Sequence, residues 1–119
     1  MSLAVGIDLV AEEDVAAALS EDRDRYLARV YTSGEVRRAA ARPGALAACF
    51  AAKEAAVKAL RPDRDEAVPW ADVELVGDAI ELHGQAAKLA RRRGIDALRV
   101  GFSRQTGYAC AVVVATGGT

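Results

Sequence analysis

The sequence has a single histidine, His83, and only two cysteines, Cys49 and Cys110. The cysteines lie far apart, form no C-x-x-C pair and join no histidine cluster, so the ligand set of a thiolate zinc site is missing. They read as the reduced thiols of a cytoplasmic protein. Basic charge is not in excess: 16 Lys plus Arg against 17 Asp plus Glu leave a net charge of -1. That argues against a general nucleic-acid binder. No apolar run approaches the roughly 18 to 20 residues of a membrane span. The first residues, MSLAVGIDLV, lack the basic n-region and cleavage pattern of a signal peptide. There is no internal repeat, low-complexity tract or interdomain linker. What remains is 119 residues, 52% hydrophobic and 28% charged, which suits one domain with its own core over 1–119. Residues 116–119 are expected to fray.

Leu3, Val5, Ile7 and Leu9 alternate with Ala4, Gly6, Asp8 and Val10, a period-two strand with one large apolar face. Residues 12–19 read as a short helix, and 20–24 cap a second one running to 29. Thr32, with Glu35 three residues on, has the form of a capping box. The helix it opens is expected to stop near Arg42, at Pro43-Gly44. The longest helix is predicted over 45–60 and ends at Arg61-Pro62, where proline cannot continue the hydrogen-bond ladder. Residues 62–69 read as an exposed loop, 70–76 as a strand, Gly77-Asp78 as a turn and 79–82 as a second strand. A helix over 85–93 has Gly94 as its C-cap. Two strands, 98–103 and 108–115, are joined by a turn through Gln105, Thr106 and Gly107. Helices and strands segregate, which predicts a small α+β domain with a mostly antiparallel sheet and a long buried helix.

On a helical wheel of that long helix, Leu46, Phe50, Val57 and Leu60 share a stripe with Lys53 in its middle. Glu54 falls at the edge, and Lys58 lies one turn further on the same side. Ala48, Ala51, Ala52, Ala55, Ala56 and Ala59 form the far face. An all-alanine face suits close packing rather than water, so the helix is expected to be buried nearly all round and its charges to need partners. The simpler alternative is an i,i+4 pair of Glu54 and Lys58 on a solvated edge. Asp8 has no apolar role in its strand. It either caps the following helix or, with Glu54, supplies the pair of carboxylates that Mg²⁺ takes from a protein. In the second case Lys58 would neutralise the substrate phosphates, and the small Ala4 and Gly6 would leave room for the ligand.

Three blocks carry a family resemblance: Gly6-Ile-Asp-Leu-Val10, Thr32-Ser-Gly-Glu35 and Phe50-Ala-Ala-Lys-Glu-Ala-Ala-Val-Lys-Ala-Leu60. With Gly84-Gln-Ala-Ala and Val100-Gly-Phe-Ser103 followed by Tyr108-Ala109, the chain resembles the holo-acyl-carrier-protein synthase group of 4′-phosphopantetheinyl transferases. The matches keep their order over nearly the whole chain. The resemblance implies a transferase that uses Mg²⁺ and coenzyme A. Such an enzyme moves the phosphopantetheine arm to a serine of an acyl carrier protein and releases adenosine 3′,5′-bisphosphate. It also implies a homotrimer with its active sites between neighbours. Residue by residue, Asp8 and Glu54 would bind Mg²⁺, and Lys58 would contact the diphosphate. Lys53 would join the same catalytic cluster, and Ser103 and Arg104 would touch coenzyme A. Glu54 or a metal-bound water is a candidate for the base that deprotonates the carrier serine. Carrier proteins of fatty acid, polyketide and peptide synthesis all remain open.

Three positions depart from the family pattern. Cys49 stands where an Arg usually precedes the Phe, and Ser103-Arg104 replaces Ser-His. Asp14, beside Glu12 and Glu13, occupies the place of a carrier-docking Arg. A guanidinium suits phosphate, so Arg104 can still hold one. These departures admit a second reading, an inactive or repurposed relative that binds a carrier protein or synthase without transfer. A third is a structural module without ligand. Elsewhere the basic run of Lys88, Arg91, Arg92 and Arg93 reads as a solvated face, or else as a docking site for an acidic carrier. His83 reads as a surface residue at a strand end. Trp70 and Phe102 read as packing residues, and Cys49 as a small core residue.

Overall fold

A helix faced with alanine can approach a sheet closely, provided the facing strands are small-sided too. Both conditions hold in the computed structural model, which describes residues 2–118. Helix α3 (Pro43–Leu60) lays Ala51, Ala52, Ala55, Ala56 and Ala59, all fully buried, on strands β1 (Ser2–Ala11) and β5 (Tyr108–Gly117). The register pairs Ala4 with Ala115, Gly6 with Val113, Asp8 with Ala111 and Val10 with Ala109, so the inner face is almost free of bulk. The approach is closest at Gly6, where a Cβ would overlap the backbone carbonyl of Ala55. The room that the sequence reading assigned to a ligand beside Asp8 is therefore filled at Gly6 by α3.

This packing sets the direction in which β1 faces. Its large side chains, Leu3, Val5, Ile7 and Leu9, face outward and each is more than half exposed. They lie in register with Thr116, Val114, Val112 and Cys110 of β5 on the same outer face.

The sheet is antiparallel throughout in the order β1-β5-β4-β3-β2, with β2 Val73–Val76, β3 Ala79–Leu82 and β4 Ala97–Gln105. Strand β3 meets β4 at one residue pair, Ala79 with Arg99. Helix α1 (Glu12–Val30) is broken at Asp22 (φ -158°, ψ 86°). The Asp22 carboxylate accepts the Arg25 N–H at 3.3 Å, so the two-helix reading of this stretch holds. The Thr32/Glu35 capping box forms: the Glu35 N–H donates to the Thr32 hydroxyl oxygen at 3.1 Å, and the Thr32 N–H to Glu35 Oε1 at 2.8 Å.

Helix α2 (Ser33–Ala39) stops before Arg42 because Ala40 and Ala41 already turn left-handed (φ 51° and 53°). Pro43 then opens α3 instead of only closing α2, since a first-turn proline has no N–H to lose. Residues Trp70–Asp72 form a 3-10 turn rather than strand. Helix α4 (Gly84–Arg93) ends at the left-handed Gly94. The frayed tail does not hold at Thr116 and Gly117, which pair with Leu3 and Ser2; residue 119 lies outside the described residues.

Candidate active site

Asp8 comes from the inner face of β1, and Glu54 and Lys58 come from successive turns of α3. Lys58 Nζ donates to Asp8 Oδ1 at 2.6 Å and to the Ile7 carbonyl at 3.2 Å. The ammonium thus pairs across elements with Asp8, and not along its own helix with Glu54. Asp8 does not cap α1 either: the N-cap there is Ala11, without a side-chain hydrogen bond.

Glu54 sits half-buried with its carboxyl in hydrogen-bonding reach of Asp8. Its pKa is pushed up to about 7, first by burial and then by the neighbouring Asp8 carboxylate, while Lys58 acts the other way. The hydrogen bond to Asp8 holds the Lys58 ammonium above its ordinary value. Two carboxylates crowded until one keeps its proton near neutrality form a donor set short of positive charge, which fits a hard divalent cation such as Mg²⁺. Beside Glu54 a cleft of about 290 Å³ is lined by Leu9, Val10, Asp14, Val15, Tyr26 and Phe50. The sequence reading passed over this cleft, because its walls come from three elements whose mutual placement no local pattern encodes.

A family model described as the 4′-phosphopantetheinyl transferase superfamily matches residues 4–113. This chain belongs to that superfamily. A holo-[acyl-carrier-protein] synthase of Rhodopirellula baltica is 37% identical over 120 residues, covering 94% of this chain and 95% of its own length. Another, from Solidesulfovibrio magneticus, is 40% identical over 121 residues, covering 95% and 97%. Among solved structures, the Chronobacterium ammoniagenes ACPS–CoA complex is similar with a TM-score of 0.82 at 29% identity, over 100% of both chains.

Within this transferase fold the expected cluster is not complete. Lys53 is absent from it, which corrects the sequence reading. Neighbours on a helix diverge by about 100°, so Lys53 points away from Glu54 into the core. There it is fully buried, with Nζ 2.6 Å from Glu35 Oε1 and 5.8 Å from the centre of the Tyr31 ring. Glu35 Oε2 accepts the Leu75 N–H at 2.7 Å, so this buried carboxylate joins α2, α3 and β2. The sequence reading gave Glu35 only a capping role. The signal for more was the lysine in mid-stripe, which demanded a buried acid.

Lys53→Ala should therefore cost about 3–5 kcal/mol of stability by stranding Glu35. Lys58→Ala, which removes a mostly exposed ammonium, should cost far less. Urea unfolding distinguishes the two, and equal losses would overturn the assignment. Cys49 is buried beside this pair; burial, then Glu35, pushes its thiol far above the usual range. It is a core residue, as expected.

Ser103 and Arg104 lie on opposite faces of β4. Ser103 pairs with Cys110 and shares the outer face with Leu9, away from Asp8. Arg104 lies on the inner side, and its Nη2 is 2.7 Å from Glu12 Oε1. One chain thus unites Asp8, Glu54 and Lys58 and leaves Lys53, Ser103 and Arg104 outside the cluster. The basic helix α4 is partly committed: Arg92 pairs with Asp63 and Glu66, and Arg93 with Asp63. Trp70 packs edge-on to Phe50 at 5.2 Å, whereas Phe102 is exposed.

The raised Glu54 pKa has a sign that can be tested. A carboxyl near 7 when folded, against an ordinary 4.5, holds its proton more tightly in the folded state. Its contribution is complete below the unfolded value and is lost as the pH rises through the folded one. Relative to Glu54→Gln, the wild type should lose stability as the pH rises from about 4.5 to about 7. Parallel urea-unfolding profiles of the two proteins would contradict this.

Proposed function

We propose that the chain transfers the 4′-phosphopantetheine arm of coenzyme A to a serine of an acyl carrier protein, with Mg²⁺, releasing adenosine 3′,5′-bisphosphate. The observation that carries this is the meeting of Asp8, Glu54 and Lys58 in a chain of this superfamily. The names of its relatives and the coenzyme A bound in the Chronobacterium ammoniagenes structure support it.

In the reaction the serine oxygen forms a bond to the phosphorus that bears the arm. The bond from that phosphorus to the bridging diphosphate oxygen breaks, and the bisphosphate leaves with the bond's electrons. Such transfers depend on positioning and charge neutralisation. Asp8 and Glu54 would hold Mg²⁺, which supplies positive charge to the diphosphate when bound. Lys58 would turn from Asp8 to the diphosphate oxygens. A base must accept the serine proton, and Glu54 is the candidate for that role among these residues. Arg104, on exchanging Glu12 for a phosphate, would bind the nucleotide end.

Ser103, on the outer face of β4, would serve a neighbouring subunit's site in a homotrimer closed through the apolar outer face. A cytoplasmic location fits the two free thiols, and no helix of the described residues is long and apolar enough to cross a membrane.

The test is direct. Coenzyme A should raise the thermal midpoint in a Mg²⁺-dependent manner through binding to the folded state. Intact-mass measurement should show the arm added to an apo carrier protein. No shift at saturating coenzyme A and no mass gain on fatty acid, polyketide or peptide carriers would refute the proposal.

A further inference from the structure

At the opposite edge of the sheet from Asp8, the hairpin β2–β3 sets Glu74 directly across from Glu81. Like charges face to face on antiparallel strands are destabilising, and here they sit on a hairpin that Val73 and Ile80 anchor in the core. His83 follows Glu81 by two residues, and its Nε2 lies 3.3 Å from Glu74 Oε1. One ligand atom from each of Glu74, Glu81 and His83 falls within 4.8 Å of the others.

The trio is oriented from behind. Glu74 Oε2 accepts from the Thr32 hydroxyl at 2.9 Å and from Arg38 Nη2 at 3.2 Å, and Arg38 is itself tied to the Leu75 carbonyl at 2.8 Å. That leaves Oε1 turned toward the imidazole. Such outer contacts are what aim a ligating carboxylate. The imidazole has no competing duty in α4. His83 is the N-cap there but makes no side-chain cap, and Asp72 Oδ2 takes the Gln85 N–H at 2.8 Å.

We propose that Glu74, Glu81 and His83 form a binding site for Zn²⁺ or a similar divalent transition-metal ion, separate from the Asp8–Glu54 cluster. One imidazole nitrogen and two carboxylate oxygens make a mixed donor set that suits Zn²⁺ better than Mg²⁺, with a fourth position left for water. The ion replaces the hydrogen bond between His83 and Glu74 and neutralises the facing carboxylates. It also ties β2 to β3 at the end of the hairpin away from its turn.

The experiment titrates Zn²⁺ alone into metal-free protein, without coenzyme A or Mg²⁺, by calorimetry. The Asp8→Ala chain serves as parent so that the reaction cluster is silenced. One ion per chain is expected. Adding His83→Ala or Glu81→Gln should weaken binding at least about tenfold. Both positions are exposed and circular dichroism checks their folding. Co²⁺ in place of Zn²⁺ should give a visible absorption band that the same two variants remove. No binding at about 100 µM Zn²⁺, or undiminished binding in either double variant, would overturn the site.

Discussion

Asp8→Ala and Glu54→Ala should each yield a folded chain whose transfer of the phosphopantetheine arm, as kcat/KM, falls about a thousandfold or more. The size follows from the loss of transition-state charge stabilisation worth several kcal/mol when a diphosphate loses its cation site. The fold should hardly notice. Asp8 takes part in one pair with a mostly exposed lysine, and ion pairs open to water contribute little. Removing either carboxyl also relieves the crowding that raises Glu54, so Glu54→Ala is expected to be neutral or slightly stabilising above pH about 7. The assay is intact-mass kinetics on a carrier protein beside a urea-unfolding curve. Activity within tenfold of wild type in either variant would remove the pair from the chemistry. A parallel loss of stability and activity would reduce it to a structural contact.

Val5→Glu should dissolve the assembly and leave the single chain intact. Val5 lies in the middle of the outer stripe, opposite Val114 and away from Asp8. In an isolated chain it is more than half exposed, so a glutamate there should change stability by no more than about 0.5 kcal/mol. In the proposed homotrimer the same face is covered, and an unpaired carboxylate is buried in each subunit. At about 3 kcal/mol or more for such a charge, the dissociation constant rises over a hundredfold. Light scattering after gel filtration should move from trimer to monomer, and transfer activity should fall with it because Ser103 loses its neighbour. A wild type that elutes as a monomer at micromolar concentration would defeat the prediction, as would a variant that stays trimeric.

Element by element, local chemistry was readable. The Thr32–Glu35 box, the break near Asp22, the Gly94 cap and the last hairpin all follow from short-range rules and stand where those rules put them. The direction in which β1 faces was not readable from β1 alone. Alternation says that one face is large, and habit puts the large face inside. Here the decisive fact lay some fifty residues away, in the run of alanines on α3 that accepts only small partners. The matching run of Ala109, Ala111 and Ala115 in β5 was the available signal.

The site divided along the same line. Asp8, Glu54 and Lys58 were legible because an acid in an apolar strand and charges on a buried helix need partners. The placement of Lys53 depended on which acid lay across the core, and that is a tertiary fact. Ser103 and Arg104 were read as neighbours in sequence, and strand alternation sent them to opposite faces.

Strand β1 has a further consequence for how the protein comes into being. Among the described residues it is an edge strand paired with β5 alone, so Asp8 is held in line by Ala111, roughly a hundred residues later in the chain. During synthesis at about 5–20 residues per second, the first strand has no sheet partner until the last one leaves the ribosome. Pairing of such high sequence separation is slow to nucleate. The strand that carries Asp8 is therefore fixed in its sheet register only late in folding, although α3 can already lie against it.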